Sequence, residues 1–209
     1  MAELKLYRMI MGMIETNVYF VENMDTKQTI IVDPADDPER LKSNLKEKDL
    51  VPVAIYLTHG HFDHIGAVNE LQEYYKIPVV ADAAEKALLE DAQLNMSGYN
   101  GKAITVKADV FVNDGDVLEY AGLPCTVMHT PGHTAGSCCY YFKEQKLLLS
   151  GDTLFQFSCG RTDFATSSNA DMEKSIKRLV TELPEDVTAC PGHMNYTTIE
   201  AEKRYNPFA

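Results

Sequence analysis

The chain has 209 residues, of which 45% are hydrophobic and 24% charged, a composition that fits a globular protein with a sizeable core and excludes a disordered or fibrous one. The formal net charge of −12 disfavours binding to nucleic-acid phosphates or to an anionic membrane surface. Five cysteines without a CxxC spacing are typical of buried thiols in a reducing compartment and not of a disulfide framework. We therefore expect one cytoplasmic domain over residues 1–209, without nucleic-acid or membrane partners.

The first half of the chain alternates predicted strands and helices. β-rich runs bounded by turn residues predict three strands, LKLYRMI, NVYFVEN and QTIIVDP. Residues 37–48 predict a helix with a proline near its start. A buried strand is predicted for VAIYL, which leads directly into THGHFDH, and the apolar positions in 65–75 then have helical spacing.

The second half repeats this order. A strand is predicted for IPVVAD and a helix for AAEKALLED, whereas residues 92–107 predict no element. Three strands follow, LPCTVMH, SCCYYFK and KLLLSG, and then an amphipathic helix with Asn169 as its N-cap. The chain closes with the strand VTACPGH and the helix TTIEAEKRY. This order predicts an α/β domain of stacked sheets with helices outside.

Three of the six histidines lie in one loop, LTHGHFDHIGA, between a predicted strand and a predicted helix. In an extended backbone His59 and His61 would point to the same side, because alternate residues share a face. Asp63 and His64 would turn toward a second position as the helix begins. The loop is therefore predicted to supply ligands to two metal ions at once.

Three further candidate ligands each follow a predicted strand directly: His133, Asp152 and His193. Loops at the carboxyl ends of strands are where sheet proteins gather functional groups. The predicted ligand set is His59, His61, Asp63, His64, His133, Asp152 and His193. Five imidazoles and two carboxylates suit two divalent ions of the zinc, iron or manganese kind, with Asp152 placed to give one oxygen to each.

A structural zinc site is disfavoured, because such sites are closed, four-coordinate and rich in thiolates. Of the five cysteines only Cys190 lies near these loops, and it is expected to pack within its strand. His129, inside or at the end of a strand, is expected to have a structural role and not to bind metal.

The motifs THGHFDH, PGHTAGS, GDTLF and PGH, in this order, resemble the metallo-β-lactamase superfamily from about residue 17 to the C-terminus. The resemblance implies a four-layer αβ/βα sandwich, with two central mixed β-sheets and a dimetal site at their edge. It also implies that one metal binds His59, His61 and His133 and the other binds Asp63, His64 and His193, with Asp152 between them.

Within the superfamily, GDTLFQFSCGRTD and PGHMNYTTIEAEKRYNPF are similar to short forms of the glyoxalase II group, the hydroxyacylglutathione hydrolases. Arg161 stands where that group has a basic residue that helps to hold glutathione, but Asp163 replaces the aromatic residue that follows. The helical domain that supplies further glutathione contacts in full-length enzymes is not expected, since 16 residues follow His193. Met194 and Asn195 also replace the glycine and proline usual in short forms.

The expected activity is metal-dependent hydrolysis of a small acyl thioester by a hydroxide shared between the metals and oriented by Asp63. A thiolate leaving group, with a conjugate-acid pKa of about 8.5, needs little help from a general acid. Arg161 is expected to bind a substrate carboxylate, or alternatively to pair with Asp163. A lactonase on the same dimetal site and an iron-dependent persulfide dioxygenase remain alternative functions.

Overall fold

Two six-stranded β-sheets form the centre of the structure, a computed structural model that describes residues 2–209. The first sheet has the order β1-β2-β3-β4-β5-β6. Its neighbours are antiparallel from β1 to β3 and parallel from β3 to β6. Its strands are β1 (Leu4–Met11), β2 (Thr16–Asn23), β3 (Gln28–Val32), β4 (Val51–Tyr56), β5 (Val79–Asp82) and β6 (Val110–Val112).

The remaining strands are β7 (Val117–Leu118), β8 (Cys125–His129), β9 (Cys138–Phe142), β10 (Leu147–Gly151), β11 (Leu154–Phe155), β12 (Ser158–Cys159), β13 (Thr188–Pro191) and β14 (Thr197–Thr198). The second sheet has the order β14-β13-β10-β9-β8-β7, and β11 and β12 form a separate hairpin. Strands β8 and β10 are both antiparallel to β9, and β13 is parallel to β10. Strands β8, β10 and β13 therefore have their carboxyl ends at the same edge.

The helices cover the outer faces of the two sheets. They are α1 (Pro38–Glu47), α2 (Phe62–Ile65), α3 (Val68–Tyr75), α4 (Lys86–Leu89), α5 (Asn169–Glu182) and α6 (Ile199–Tyr205). Buried side chains of α1 and α3 pack on the first sheet, and those of α5 and α6 pack on the second. A third apolar cluster lies between the sheets. The predicted four-layer αβ/βα sandwich with two mixed sheets is confirmed.

Strand β2 illustrates why the layers form. Alternate side chains of a strand point to opposite faces. Val18 and Phe20 pack toward the helices, whereas Tyr19 and Val21 pack toward the other sheet, and all four are at most 2% exposed. A strand that is apolar on both faces must be covered on both sides, as the continuous apolar run in the sequence indicates.

The helix starts differ slightly from the prediction. Helix α1 begins at Pro38, and the side chain of Asp37 accepts a hydrogen bond from the backbone N–H of Arg40. The N-cap of α5 is Ser168 and not Asn169, because Ser168 has the extended backbone of a cap and its hydroxyl accepts from the N–H of Asp171.

Residues 92–107 form a loop with a single short 3₁₀ turn. Asn95 donates to the carbonyl of Ile104 at 2.8 Å, and the Ser97 hydroxyl accepts from the N–H of Ile104 at 2.8 Å. Short strands such as β6 were not predicted, because two or three residues are too few to show a period. No helix within residues 2–209 has the length and apolarity needed to cross a membrane.

Candidate metal centre

All seven predicted ligands lie together at the edge where the two sheets end. Ligand atoms within 4.8 Å of one another define three overlapping groups, and we call their union the metal cluster. The groups are His59–His61–His133, His59–His64–Asp152 and Asp63–His64–His193.

The first group is deeply buried. His59, His61 and His133 are 1%, 3% and 4% exposed, and Nδ1 of His61 lies 2.8 Å from Nε2 of His133. Strand β4 delivers His59 and His61, and the loop after β8 delivers His133. The two loops come from different sheets, so this group forms only when the sheets pack together.

The group Asp63–His64–His193 lies nearer the surface, although His64 itself is fully buried. Oδ2 of Asp63 is 3.2 Å from Nε2 of His193 and 3.4 Å from Nε2 of His64. The two imidazole Nε2 atoms are 3.4 Å apart. Helix α2 starts at Phe62, which turns Asp63 and His64 away from the direction of His61. The structure thus brings these residues together as the sequence predicts.

Asp152, a member of the remaining group, lies between the other two groups. Its Oδ1 is 3.5 Å from Nε2 of His64, and its Oδ2 is 3.5 Å from Nε2 of both His133 and His193. One carboxylate therefore faces ligands of both groups, the arrangement required of a residue that bridges two ions.

Unpartnered buried atoms support a bound cation. Among residues 2–209, Nε2 of His59, Nε2 of His61 and Oδ1 of Asp152 are buried without a hydrogen-bond partner. A buried polar atom left in this way costs about 1–3 kcal/mol. Metal ions accept lone pairs from imidazole nitrogens and carboxylate oxygens, so the donor set fits divalent metals.

The charges of the cluster lead to the same conclusion. Burial alone would lower the pKa of His64, but Asp63, Asp152 and Asp33 outweigh it and raise the pKa to about 10. Burial lowers the pKa of His61 to about 3, which leaves a neutral imidazole with a free lone pair at neutral pH. Three carboxylates around one imidazole are an excess of negative charge that a cation balances.

Hydrogen bonds on the far side of the imidazoles fix their orientation. Nδ1 of His64 is 3.0 Å from Oδ2 of Asp33, Nδ1 of His133 is 2.8 Å from the carbonyl of Arg161, and Nδ1 of His193 is 3.1 Å from the carbonyl of Ile14. In all three residues Nε2 therefore faces the cluster. Such outer partners fix the tautomer and strengthen a metal site.

Sequence reasoning missed the role of Asp33. Its carboxylate accepts from the backbone N–H of Thr58 at 2.8 Å and from the Thr58 hydroxyl at 2.6 Å, besides contacting His64. Asp33 follows β3, which lies next to β4. A carboxylate at a fifth strand end was a signal in the sequence, but the Asp33–Pro34 pair was interpreted only as a turn.

Glu85 was also missed, and it links two ligand loops. It is 1% exposed and accepts from the N–H of Gly60 at 2.8 Å, the N–H of Gly136 at 2.9 Å and the hydroxyl of Thr134 at 2.9 Å. Burial raises the pKa of Glu85 to about 7 against the effect of these donors. In the sequence it is one charged residue in a helical pattern, which carries no signal for this role.

The glycine of the PGH motif, Gly192, is required for a steric reason. A Cβ at this position would lie 2.3 Å from Oδ1 of Asp152 and 2.7 Å from Cε1 of His64. Glycine lets the backbone pass against the ligands, so this motif reflects crowding at the cluster as well as the ligand His193.

His129 lies outside the metal cluster. Its Nδ1 is 2.9 Å from Oδ2 of Asp82, and its backbone N–H donates to Asp114 at 2.9 Å. Arg178 donates to the His129 carbonyl at 3.2 Å. These contacts tie β8 to β5 and α5, in accord with a structural role.

A cavity of about 840 Å³ opens above the cluster. His61, Asp63, His133, Asp152 and His193 line its floor, and apolar residues such as Ile14 and Phe164 line its walls. Met96 and Asn100 place the 92–107 loop at the cavity as well.

Arg161 is exposed and lines the cavity. Its Nε and Nη2 donate to the two carboxylate oxygens of Asp163 at 2.9 and 2.7 Å, and the guanidinium lies 4.7 Å from the ring centroid of Phe164. The structure thus contains the alternative pairing with Asp163, and binding of a substrate carboxylate would have to compete with it.

A family profile described as "Metallo-beta-lactamase superfamily" matches residues 11–193. The chain is 40% identical over 207 residues to the "Probable metallo-hydrolase YqgX" of Bacillus subtilis, covering 98% of this chain and 97% of that one. It is 34% identical over 187 residues to the "Hydroxyacylglutathione hydrolase GloC" of Haemophilus influenzae, covering 88% of each.

Two crystal structures are similar over nearly the whole chain. One is the "BLEG-1 B3 metallo-beta-lactamase", with a TM-score of 0.92 and 40% identity over 98% of this chain and 99% of that one. The other is "TTHA1623 in a di-iron-bound form", with a TM-score of 0.87 and 33% identity over 97% of this chain and all of that one.

Proposed function

The chain belongs to the metallo-beta-lactamase superfamily, and we propose that it hydrolyses small acyl thioesters with two bound divalent metal ions. The observation that carries the proposal is a cluster of five imidazoles and two carboxylates, five of whose residues line a cavity large enough for a small molecule. A relative named as a hydroxyacylglutathione hydrolase supports a thioester as the substrate.

The metals would bind as the resemblance implies, one at His59, His61 and His133 and the other at Asp63, His64 and His193, with Asp152 facing both. Such ions, when bound, supply Lewis acidity and generate a nucleophile from water near neutral pH. We propose zinc, with iron or manganese as alternatives; the similar protein in a di-iron-bound form supports testing iron.

Asp63 is the chain's own candidate for orienting the attacking water. Burial raises its pKa, but His64 and the hydrogen bond with His193 outweigh burial and hold the pKa well below its ordinary value. The carboxylate is thus ionised at neutral pH, and the Thr16 hydroxyl donates to its Oδ2 at 3.3 Å. Asp63 can therefore accept a hydrogen bond from a water molecule and set its direction.

The side chains around the cavity favour a leaving group that departs without a strong acid. Among the described residues, no lysine or tyrosine lines the cavity, its one glutamate, Glu15, is exposed, and the buried Glu85 does not reach it. A thiolate suits such a site better than an alkoxide, because its conjugate acid has a pKa of about 8.5. The proposed partner is accordingly a small acyl-thiol.

The test is a substrate panel on protein loaded separately with zinc, iron and manganese. The panel contains a hydroxyacyl thioester of glutathione, an acyl thioester of N-acetylcysteamine, a lactone, a β-lactam and a persulfide. We expect thiol release from the thioesters to exceed turnover of every other compound. Faster lactone or β-lactam opening, or oxygen consumption with the persulfide, would overturn the proposal in favour of that activity.

A further inference from the structure

The cavity wall beside His193 carries a second guanidinium group, that of Arg8. Arg8 lies on β1, where Leu4 and Leu6 pack into the cluster between the sheets. Since alternate strand residues share a face, Arg8 and Ile10 continue that face beyond the core. Both line the cavity, so the fold places a cation where the apolar face of the strand ends.

Two contacts hold the Arg8 guanidinium next to the metal cluster. It lies 4.8 Å from the ring centroid of Tyr196, and its Nη1 is 3.4 Å from the carbonyl of Met194, the residue after His193. Asn17 donates to the same carbonyl at 3.0 Å. The long bond to Met194 is the only hydrogen bond that the Arg8 side chain makes within residues 2–209, so most of its guanidinium donors remain available to a ligand.

Arg8 differs from Arg161 in its charge balance. Arg161 makes two hydrogen bonds to Asp163, whereas no carboxylate within residues 2–209 forms an ion pair with Arg8. These two are the only lysine or arginine residues among the described residues that line the cavity. Arg8 can therefore bind an anion without first breaking an internal ion pair.

We propose that Arg8 forms a subsite for a carboxylate of the substrate, on the cavity wall beside His193. The inference rests on the proposed thioesterase function and names the substrate class: acyl thioesters that carry a carboxylate. A guanidinium presents parallel N–H donors that match the two oxygens of a carboxylate. The stacking on Tyr196 orients the group in advance and lowers the entropy lost on binding.

The test compares substrates that differ by one carboxylate. S-acetyl-N-acetylcysteine and S-acetyl-N-acetylcysteamine differ only in the carboxylate of the thiol half, and S-succinyl- and S-butyryl-N-acetylcysteamine differ in that of the acyl half. For Arg8→Met we expect kcat/KM to fall about 10- to 100-fold on the acidic member of one pair and to change little on its neutral member. The affected pair identifies which half carries the carboxylate.

Controls separate recognition from support of the His193 loop. Arg8→Met keeps an unbranched side chain next to Tyr196, and Arg8→Lys keeps the positive charge without the parallel N–H donors of the guanidinium. Arg40→Met removes one exposed charge from α1, away from the cavity. Recognition predicts intermediate losses for Arg8→Lys, none for Arg40→Met, and unchanged metal content in all three. Equal losses on acidic and neutral substrates, or no loss on either, would overturn the proposal.

A binding measurement keeps the test independent of catalysis. Calorimetry with wild type and Arg8→Met measures the dissociation constants of three thioethers. S-propyl-N-acetylcysteine carries a carboxylate in the thiol half, S-(3-carboxypropyl)-N-acetylcysteamine carries one in the acyl half, and S-propyl-N-acetylcysteamine is their neutral counterpart. If Arg8→Met binds an acidic thioether more weakly than wild type does, and the neutral thioether equally well, the subsite is supported even if no thioester is hydrolysed. Equal affinity of wild type and Arg8→Met for both acids overturns it, whether or not the proposed function stands.

Discussion

Replacing Asp33 with asparagine should weaken metal binding without removing a ligand. The carboxylate accepts three hydrogen bonds or contacts, from the Thr58 N–H, the Thr58 hydroxyl and Nδ1 of His64, at 2.8, 2.6 and 3.0 Å. An asparagine has the same shape but only one acceptor oxygen, so it must present an N–H₂ group to Thr58 or to His64. If the amide oxygen keeps the bond from His64, the N–H₂ group opposes the N–H of Thr58, and in the reverse orientation it opposes Nδ1–H of His64. Either orientation places two donors against each other next to the imidazole and weakens its positioning.

Loss of such an outer partner costs about 10- to 100-fold in metal affinity, which corresponds to about 1.4–2.7 kcal/mol. In the assay a chromogenic chelator competes with the protein for metal. The absorbance of the chelator–metal complex is followed until first one and then two ions per chain have been removed. We expect the more weakly held ion of Asp33→Asn to be lost at a chelator concentration about 10- to 100-fold lower than in wild type.

The chain offers a matched control in Asp82→Asn. Asp82 is 3% exposed and lies 2.9 Å from Nδ1 of His129, whereas Asp33 is 2% exposed and lies 3.0 Å from Nδ1 of His64. The two aspartates share burial and chemistry, although the His129 side chain is 30% exposed and that of His64 is fully buried. Only Asp33 touches a predicted ligand. Wild-type affinity in Asp33→Asn, or an equal loss in Asp82→Asn, would refute the reasoning.

Four further outcomes are expected. Asp152→Ala should lose one or both metals and nearly all hydrolysis, and a variant with two metals and normal turnover, measured by elemental analysis and thiol release, contradicts its bridging position. His129→Ala should keep its metals, because its imidazole pairs with a carboxylate outside the metal cluster. If Arg161 binds a substrate carboxylate, Arg161→Ala should raise KM for acidic thioesters only. Asp163→Asn frees the guanidinium and should lower that KM. Wild-type KM values for acidic thioesters in both variants contradict this role. Burial raises the pKa of Glu85 from 4.5 in the unfolded chain to about 7 in the folded one, so its contribution to stability should fall as pH rises from about 4.5 to 7, by up to about 3 kcal/mol. The free energy of unfolding of Glu85→Gln, measured with denaturant across that pH range, should lack this fall. A pH profile identical to that of the wild type contradicts the prediction.

The sequence by itself predicted the layers and the seven side chains that meet in the metal cluster. The strand at VAIYL and the helix over residues 169–183 each bury residues that are near one another in the sequence. The local pattern of apolar residues therefore predicts both elements. The seven candidate ligands were recognisable because each lies in a turn after a predicted strand or within the histidine loop. So many imidazoles close together also have no ordinary structural use. The strand order of each sheet and the very short strands had no such local signal.

Only the tertiary structure decided which residues contact the metal cluster, the loops that carry it and the cavity above it. Asp33 meets His64 across 31 positions of the chain, Glu85 meets Gly136 across 51, and Arg8 meets Met194 across 186. In the sequence each of the three is one charged residue among many, and its partner has no fixed spacing from it. Their roles arise because two sheets from distant parts of the chain end at one edge, where burial makes hydrogen bonds to particular neighbours obligatory.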